Sequence, residues 1–169
     1  MHECGLLDSE YAKYLGQVTQ TLTRENFEIN QNVKIGQYQV DLLCYKAVVG
    51  LKLAYRAICQ IMYDDDVTVD MIRGYSNTMY EFGTKYKPFA YSTCLVFPVM
   101  VSRKIDVDTK SFVQAFNGRH FVLGAFQIEH PVLLELSTVR VFHRDKAGFV
   151  GSLPQKVAAD FANKHFTLD

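Results

Sequence analysis

In the stretch KIGQYQVDLLCYKAVVGLK, Lys34 to Lys52, two residues are of types that could do chemistry together: Asp41 and Lys52. A carboxylate can hold a divalent cation, which lowers the pKa of a bound water and neutralises charge on a phosphate. A lysine beside it can orient that water or stabilise the developing charge. One carboxylate holds Mg²⁺ poorly, so the chemistry wants a second acid. Gly50 stands where that acid would serve, because residues two apart on a strand share a face, and Gly50 shares one with Lys52. Glu10, Glu25 or Glu81 could supply a replacement carboxylate as a metal ligand with Asp41, and nothing in the sequence selects among them. The plain alternative is structural. Asp41 is then a surface acid paired with Lys52 or Lys34, and Lys52 lays its stem along apolar surface. Gly50 then marks a bulge or a close backbone approach.

A second set lies in RGYSNTMYEFGTKYKPFAY. Arg73, Tyr80, Lys85, Tyr86 and Lys87 mix cations with aromatic rings, a combination that can hold a single strand of nucleic acid by phosphate neutralisation and base stacking. Tyr and Arg are also common anchors of protein interfaces. Asp64-Asp65-Asp66 lacks the spacing and glycine of a calcium loop and reads as a solvated acidic cap. The histidines form no H-E-x-x-H or H-x-H pair, and there is no P-loop and no G-x-G-x-x-G. Cys44, Cys59 and Cys94 sit in apolar stretches, where a thiol behaves as a small core hydrophobe. A Cys–His hydrolase using one of them has no local signature.

The elements that must position these residues follow from periodicity. Tyr11, Leu15, Val18 and Leu22 predict a helix over 9–24, capped by Asp8 or Ser9. Phe27, Ile29, Val33 and Ile35 alternate and predict a strand. Gly36-Gln37 predicts a tight turn, since Gly supplies the positive φ that a type II′ hairpin needs first. On the return strand Val40, Leu42 and Cys44 are expected on one face and Asp41 on the solvated other. Residues 46–63 fit two forms. One is a strand to about Tyr55 reached through a short Lys46-Ala47 connection, followed by helix or loop. The other is a buried helix. Asp66 is expected to cap a helix over 67–81 that buries Ile72, Tyr75 and Met79. STCLVFPVMVS reads as a strand that Pro98 assigns to an edge or bulge. A short helix over 109–117 follows, then strands at HFVLGAFQI, PVLLELS and TVRVFHR. Ser152-Leu-Pro-Gln155 opens a last helix, with Val157, Phe161 and Phe166 inward.

The expected fold is α/β in the broad sense, an α+β mixture. A central mixed sheet is flanked by helices in the order α-β-β-(β)-α-β-α-β-β-β-α, within one domain over 1–169. The first hundred or so residues resemble the PD-(D/E)XK nuclease-like superfamily. Its restriction-endonuclease-like core runs α-β-β-β-α-β, with an Asp on the second strand and a Glu-x-Lys on the third. The likeness rests on that order, on VDLL at Val40–Leu43 and on GLK at Gly50–Lys52. Carried over residue by residue, it reaches only Asp41 and Lys52, since Gly50 replaces the Glu. It implies Mg²⁺ as cofactor if catalysis survives, and no cofactor otherwise.

The chain has 18 Lys plus Arg and 18 Asp plus Glu, so its net charge is zero. That argues against the whole-protein basic field behind non-specific nucleic-acid binding. The N-terminus MHECGLLDSEYAKYL has no basic n-region, and the most apolar windows are too short to span a membrane. With scattered cysteines, this reads as a cytoplasmic chain without membrane contact. Two functions follow from the residues. The first is a degenerate nuclease-like domain, non-catalytic or nearly so, in nucleic-acid transactions. The second is a protein-binding or scaffold module, alone or as a homo-oligomer. The missing Glu and the neutral charge favour the second, while strand order and the Asp41–Lys52 spacing favour the first.

Overall fold

Helix α1 forms on the face its spacing predicts, and it is longer than expected. The computed structural model describes residues 3–49, 54–87, 92–122, 125–145 and 153–167. Helix α1 spans Glu3–Arg24, so Asp8 and Ser9 lie inside it rather than capping it. Tyr14, Val18 and Leu22 are buried, with Tyr11 and Leu15 packed beside them. Residues three and four apart stack on one side of a helix, which turns that stripe onto the sheet.

Strands β1 (Glu28–Ile35) and β2 (Tyr38–Val49) form the expected hairpin. Ile35 lies opposite Tyr38, and Gly36 takes a φ of 59°, which a residue with a Cβ adopts only under strain. Strand β2 runs on without the Lys46-Ala47 turn that the sequence suggested. Lys46 and Ala47 sit inside it, opposite Ala57 and Arg56 of β3 (Ala54–Tyr63). Residues 46–49 and 54–63 are therefore strand, neither a buried helix nor a strand ending near Tyr55. Two long strands pair to Val49↔Ala54.

Helix α2 (Val69–Lys85) buries Ile72, Tyr75 and Met79 as predicted. Its cap is Thr68, whose hydroxyl accepts from the Met71 N–H. Asp66 instead donates its own N–H to Asp64 Oδ1 at 3.0 Å, closing a turn. Strand β4 (Thr93–Ser102) is buried along its whole length and lies mid-sheet, not at an edge. Pro98 is tolerated there because the neighbouring strand changes beside it. Strand β6 (Ala125–Glu129) pairs with Cys94–Val96, and β7 (Val132–Glu135) with Val99–Ser102. The Pro98 nitrogen, two residues on, points the same way as the Val96 carbonyl, which accepts from the His130 N–H at 2.8 Å in the gap between those two partners, where no further N–H is called for.

Helix α3 (Val107–Ala115) starts at Asp106, whose carboxylate accepts from the Thr109 N–H at 2.8 Å. HFVLGAFQI is two strands rather than one, β5 (Gly118–Val122) and β6, paired antiparallel. Strand β8 (Arg140–Phe142) pairs with β7, and α4 (Leu153–Phe166) closes the chain with Phe161 and Phe166 buried.

The result is an open, mixed sheet in the order β1-β2-β3-β4-β6-β5, with β7 on β4 and β8 on β7. Strand β4 runs parallel to β3, β6 and β7, and the remaining pairs are antiparallel. Helices α1 and α4 cover one face and α2 and α3 the other, each over its own apolar core. Among the described residues no helix is long and apolar enough to cross a membrane.

Candidate functional site

Asp41 sits where the alternation of β2 breaks. Leu42 and Cys44 face the α1/α4 core, but Val40 faces the α2 core together with Leu43, so the three do not share one face as expected. The break lies opposite Asn32, whose φ is 55°. Asp41 is half-buried rather than solvated. Its Oδ2 accepts from the Tyr11 hydroxyl of α1 at 2.6 Å and from the Tyr63 N–H at the end of β3 at 3.2 Å. Burial first, then that hydrogen bond and the Asp41 charge, push the Tyr11 phenol far above its usual range, so it stays a donor.

The register sets the neighbours of Asp41 across the hairpin. Pairing of Leu42 with Ile61 places Asp41 at the level of Met62 and Tyr63, at the other end of the hairpin from Val49↔Ala54. Gly50 and Lys52 themselves fall outside the described residues. Of the candidate extra acids, Glu10 is exposed on α1. Glu81 accepts from the Asn77 amide at 3.5 Å. Glu25 is committed to Lys164 and His165. Among the described residues, no group of three His, Cys, Asp or Glu side chains is placed to hold a metal ion.

The basic-aromatic set lies along α2 and just beyond it, and it does not form one charged strip. The exposed ridge reads Asp70, Arg73, Asn77, Glu81, Lys85, alternating in sign. Arg73 pairs with Asp70 at 3.5 Å and lies over the Phe112 ring. Tyr80 donates to Gln127 Oε1 at 2.7 Å and packs on His120. Lys87 pairs with Glu28 and sits over Tyr45 and Tyr86, 5.2 and 5.7 Å from the ring centroids. The Tyr86 ring stacks on Phe82, and Lys85 is exposed.

Two polar clusters arise from residues that spacing did not join. Buried Glu129 of β6 accepts from Ser76 of α2 and lies 3.6 Å from His120 Nε2 of β5. Near the start of β7, His130 Nε2 and His143 Nδ1 are 3.1 Å apart. His143 Nε2 faces Asn163 Oδ1 at 2.8 Å and Asp145 Oδ1 at 3.3 Å, both acceptors. It therefore donates to them, and Nδ1 accepts from His130. Burial, then the neighbouring His143 and Arg144, hold His130 down to about 3, so it is neutral at ordinary pH. The cysteines behave as core residues. Burial pushes the Cys44 thiol up to about 12 and Cys94 to about 11, so neither is a ready thiolate nucleophile.

A cavity between the β2–β3 hairpin and α4 brings together Lys46, Tyr55, Lys164 and His165, beside Glu25. None of these four was singled out from the sequence. They come from three separated segments, and the one available signal was a lysine inside an otherwise apolar strand. Comparison with protein-family models, curated proteins and solved structures finds no match to this chain.

Proposed function

We propose that this chain is a non-catalytic binding domain on a nuclease-like frame, and that its partner is a protein. The observation that carries the reading is the state of Asp41. The one acid that the resemblance transfers spends an oxygen on a tyrosine hydroxyl and a backbone amide, and so ties α1 to the end of β3. A carboxylate used in this way is a structural clamp. The run α1-β1-β2-β3-α2-β4 supports the frame, since it repeats the α-β-β-β-α-β order of the PD-(D/E)XK core. The alternating charge along α2 favours a protein over a phosphate backbone, which would call for like charges in a row. Strand β5 adds to this. It ends the sheet and presents Phe121, 65% exposed, and Val122 to solvent, and exposed apolar residues on an edge strand suit protein contact.

The test begins with calorimetric titration of Mg²⁺ and Mn²⁺ into wild type and Asp41→Ala, with cleavage assays on single- and double-stranded DNA and RNA. The expected result is the same isotherm for both proteins and no cleavage. Metal affinity that falls tenfold in Asp41→Ala, or cutting that depends on Asp41, would restore the nuclease reading. Affinity capture with the full chain is then run before and after nuclease digestion of the extract. A partner retained after digestion is expected, and loss of all partners on digestion would favour nucleic acid.

A further inference from the structure

The cavity at the far end of the hairpin from Asp41 has a volume of about 300 Å³, or roughly ten waters at liquid density. Its floor comes from the register: Val48 lies directly opposite Tyr55, so both side chains leave the same face of the sheet, with Lys46 two residues back along β2. Its roof is one stripe of α4, Val157, Phe161 and Lys164, spaced three and four apart. Phe27 closes one side. The walls are therefore apolar, while the polar groups gather toward Glu25.

The charged groups there are unequally committed. Glu25 holds Lys164 at 2.6 Å on one oxygen and His165 Nε2 at 2.9 Å on the other. His165 Nδ1 lies 2.9 Å from the Phe161 carbonyl, so the ring is held between that carbonyl and Glu25. Lys46 donates to the Glu25 backbone carbonyl and lies over the Phe27 ring, 5.3 Å from its centroid. Both Glu25 oxygens are thus spent, and the Lys46 and Lys164 ammoniums line the cavity with Glu25 and the exposed Asp160. Each ammonium keeps donors beyond the one spent on Glu25. Among the described residues the Tyr55 hydroxyl has no hydrogen-bond partner, and the charges of Lys164 and Glu25 both reach it.

We propose that this cavity binds a small amphiphilic carboxylate. The flat or branched apolar body lies against Val48, Val157 and Phe161, and the anionic head is held by Lys46, Lys164 and the Tyr55 hydroxyl. The site is independent of the protein-partner reading, so either can fail without the other. An ammonium with the same body is disfavoured, because its head would meet the cations. A ligand of this size is expected to bind with a dissociation constant around 1 mM or tighter.

The probe is 2-naphthoate, titrated into the full chain and followed by amide NMR shifts. The control is 2-naphthylmethylammonium, which has the same rings and the opposite charge. Val157→Trp fills the cavity from a half-buried helix position, and Lys46→Met keeps the stem while removing the charge. Saturable shifts at Phe27, Val48, Tyr55 and Phe161 are expected with naphthoate, at least fivefold weaker binding of the ammonium, about tenfold loss in Lys46→Met and no binding in Val157→Trp. Thermal unfolding checks that each variant is folded, and Lys46→Met decides alone if Val157→Trp is not. The proposal is overturned if naphthoate gives no saturable shift at about ten times the expected constant. Equal binding of the ammonium, or unchanged binding in the folded variants, overturns it as well.

Discussion

Glu135 shows how one residue's ionisation is tied to the fold. Its burial works against the charged form, but Lys110 at 2.8 Å, the Thr138 hydroxyl at 2.6 Å and the Ile105 N–H at 2.9 Å outweigh it and hold the carboxyl down to about 2. Glu25 is lowered to about 2 in the same way, with Lys164 and His165 overcoming the cost of burial. A carboxyl depressed in the folded state contributes stability above its unfolded value, near 4.5, and loses it as pH falls from there toward 2. His130 acts in a different window. Its folded value of about 3 lies below the usual 6.5, so the unfolded chain takes up the proton first and stability falls as pH drops from 6.5 toward 3. Acid loss should therefore come in two stages, with His130 contributing from about pH 6.5 down to 3 and the two glutamates joining it below about 4.5. In the upper window the His130 share is at most about 1.4 kcal/mol per pH unit. Urea unfolding from pH 7.5 to 3 measures it. His130→Gln, which keeps a donor toward His143 but does not titrate, should flatten the upper stage and leave only the glutamates' share below about pH 4.5. An unchanged upper slope in that variant would rule His130 out as its source.

The elements divide into those specified by neighbours in sequence and those specified by distant partners. The inner face of α1, the Gly36-Gln37 turn and the buried face of α2 were legible because the period and the turn chemistry are local. The length of the β2–β3 hairpin was not. Lys46 and Arg56 look like turn or surface residues, yet both lie mid-strand because of contacts far away in sequence. Lys46 reaches the Glu25 carbonyl. Arg56, 4% exposed, donates to the carbonyls of Tyr86 at 2.9 Å, Lys87 at 3.1 Å and Thr84 at 3.4 Å. Those carbonyls end α2, where the helix dipole is negative and no intrahelical donors remain, so a buried guanidinium there acts as a C-terminal cap. The candidate site was legible to the same extent. Asp41 could be picked out, but its partners Tyr11 and Tyr63 could not, because they come from other elements. The cap gives a prediction at this scale. Arg56→Met should cost about 1–3 kcal/mol, since it strands three part-buried carbonyls. Arg56→Lys should recover part of that and not all, because one ammonium cannot replace a planar fork across three acceptors. Chemical denaturation gives the energies, and hydrogen exchange should show the added opening confined to the last turn of α2 in Arg56→Lys. Full stability in Arg56→Met would mean that the α2 terminus is satisfied without it.

At the scale of the molecule, the sheet carries a separate apolar core on each face, and the question is whether they melt together. Strand β4 belongs to both. Leu95, Phe97, Val99 and Val101 enter the α1/α4 core, while Cys94, Val96 and Met100 enter the α2 core. Strand β3 is divided in the same way, with Cys59 and Ile61 on one side and Ile58 and Met62 on the other. Because successive side chains of a strand point to opposite faces, neither core can lose its floor without disturbing the other. Phe97 stacks on Phe161 at 4.5 Å between centroids, and Met79 is fully buried on the opposite face. Phe97→Ala and Met79→Ala should each cost about 2–5 kcal/mol from lost contact and a residual cavity. Both should shift one urea transition without changing its slope. The chain has no Trp, and Tyr14 lies in one core and Tyr75 in the other, so Tyr14→Trp and Tyr75→Trp backgrounds let a single indole report each side. Coincident midpoints from both backgrounds and from circular dichroism are expected for one cooperative unit. If Met79→Ala instead splits the transition, with the Tyr75 side melting first, the two cores are separate cooperative units and the shared strands do not couple them.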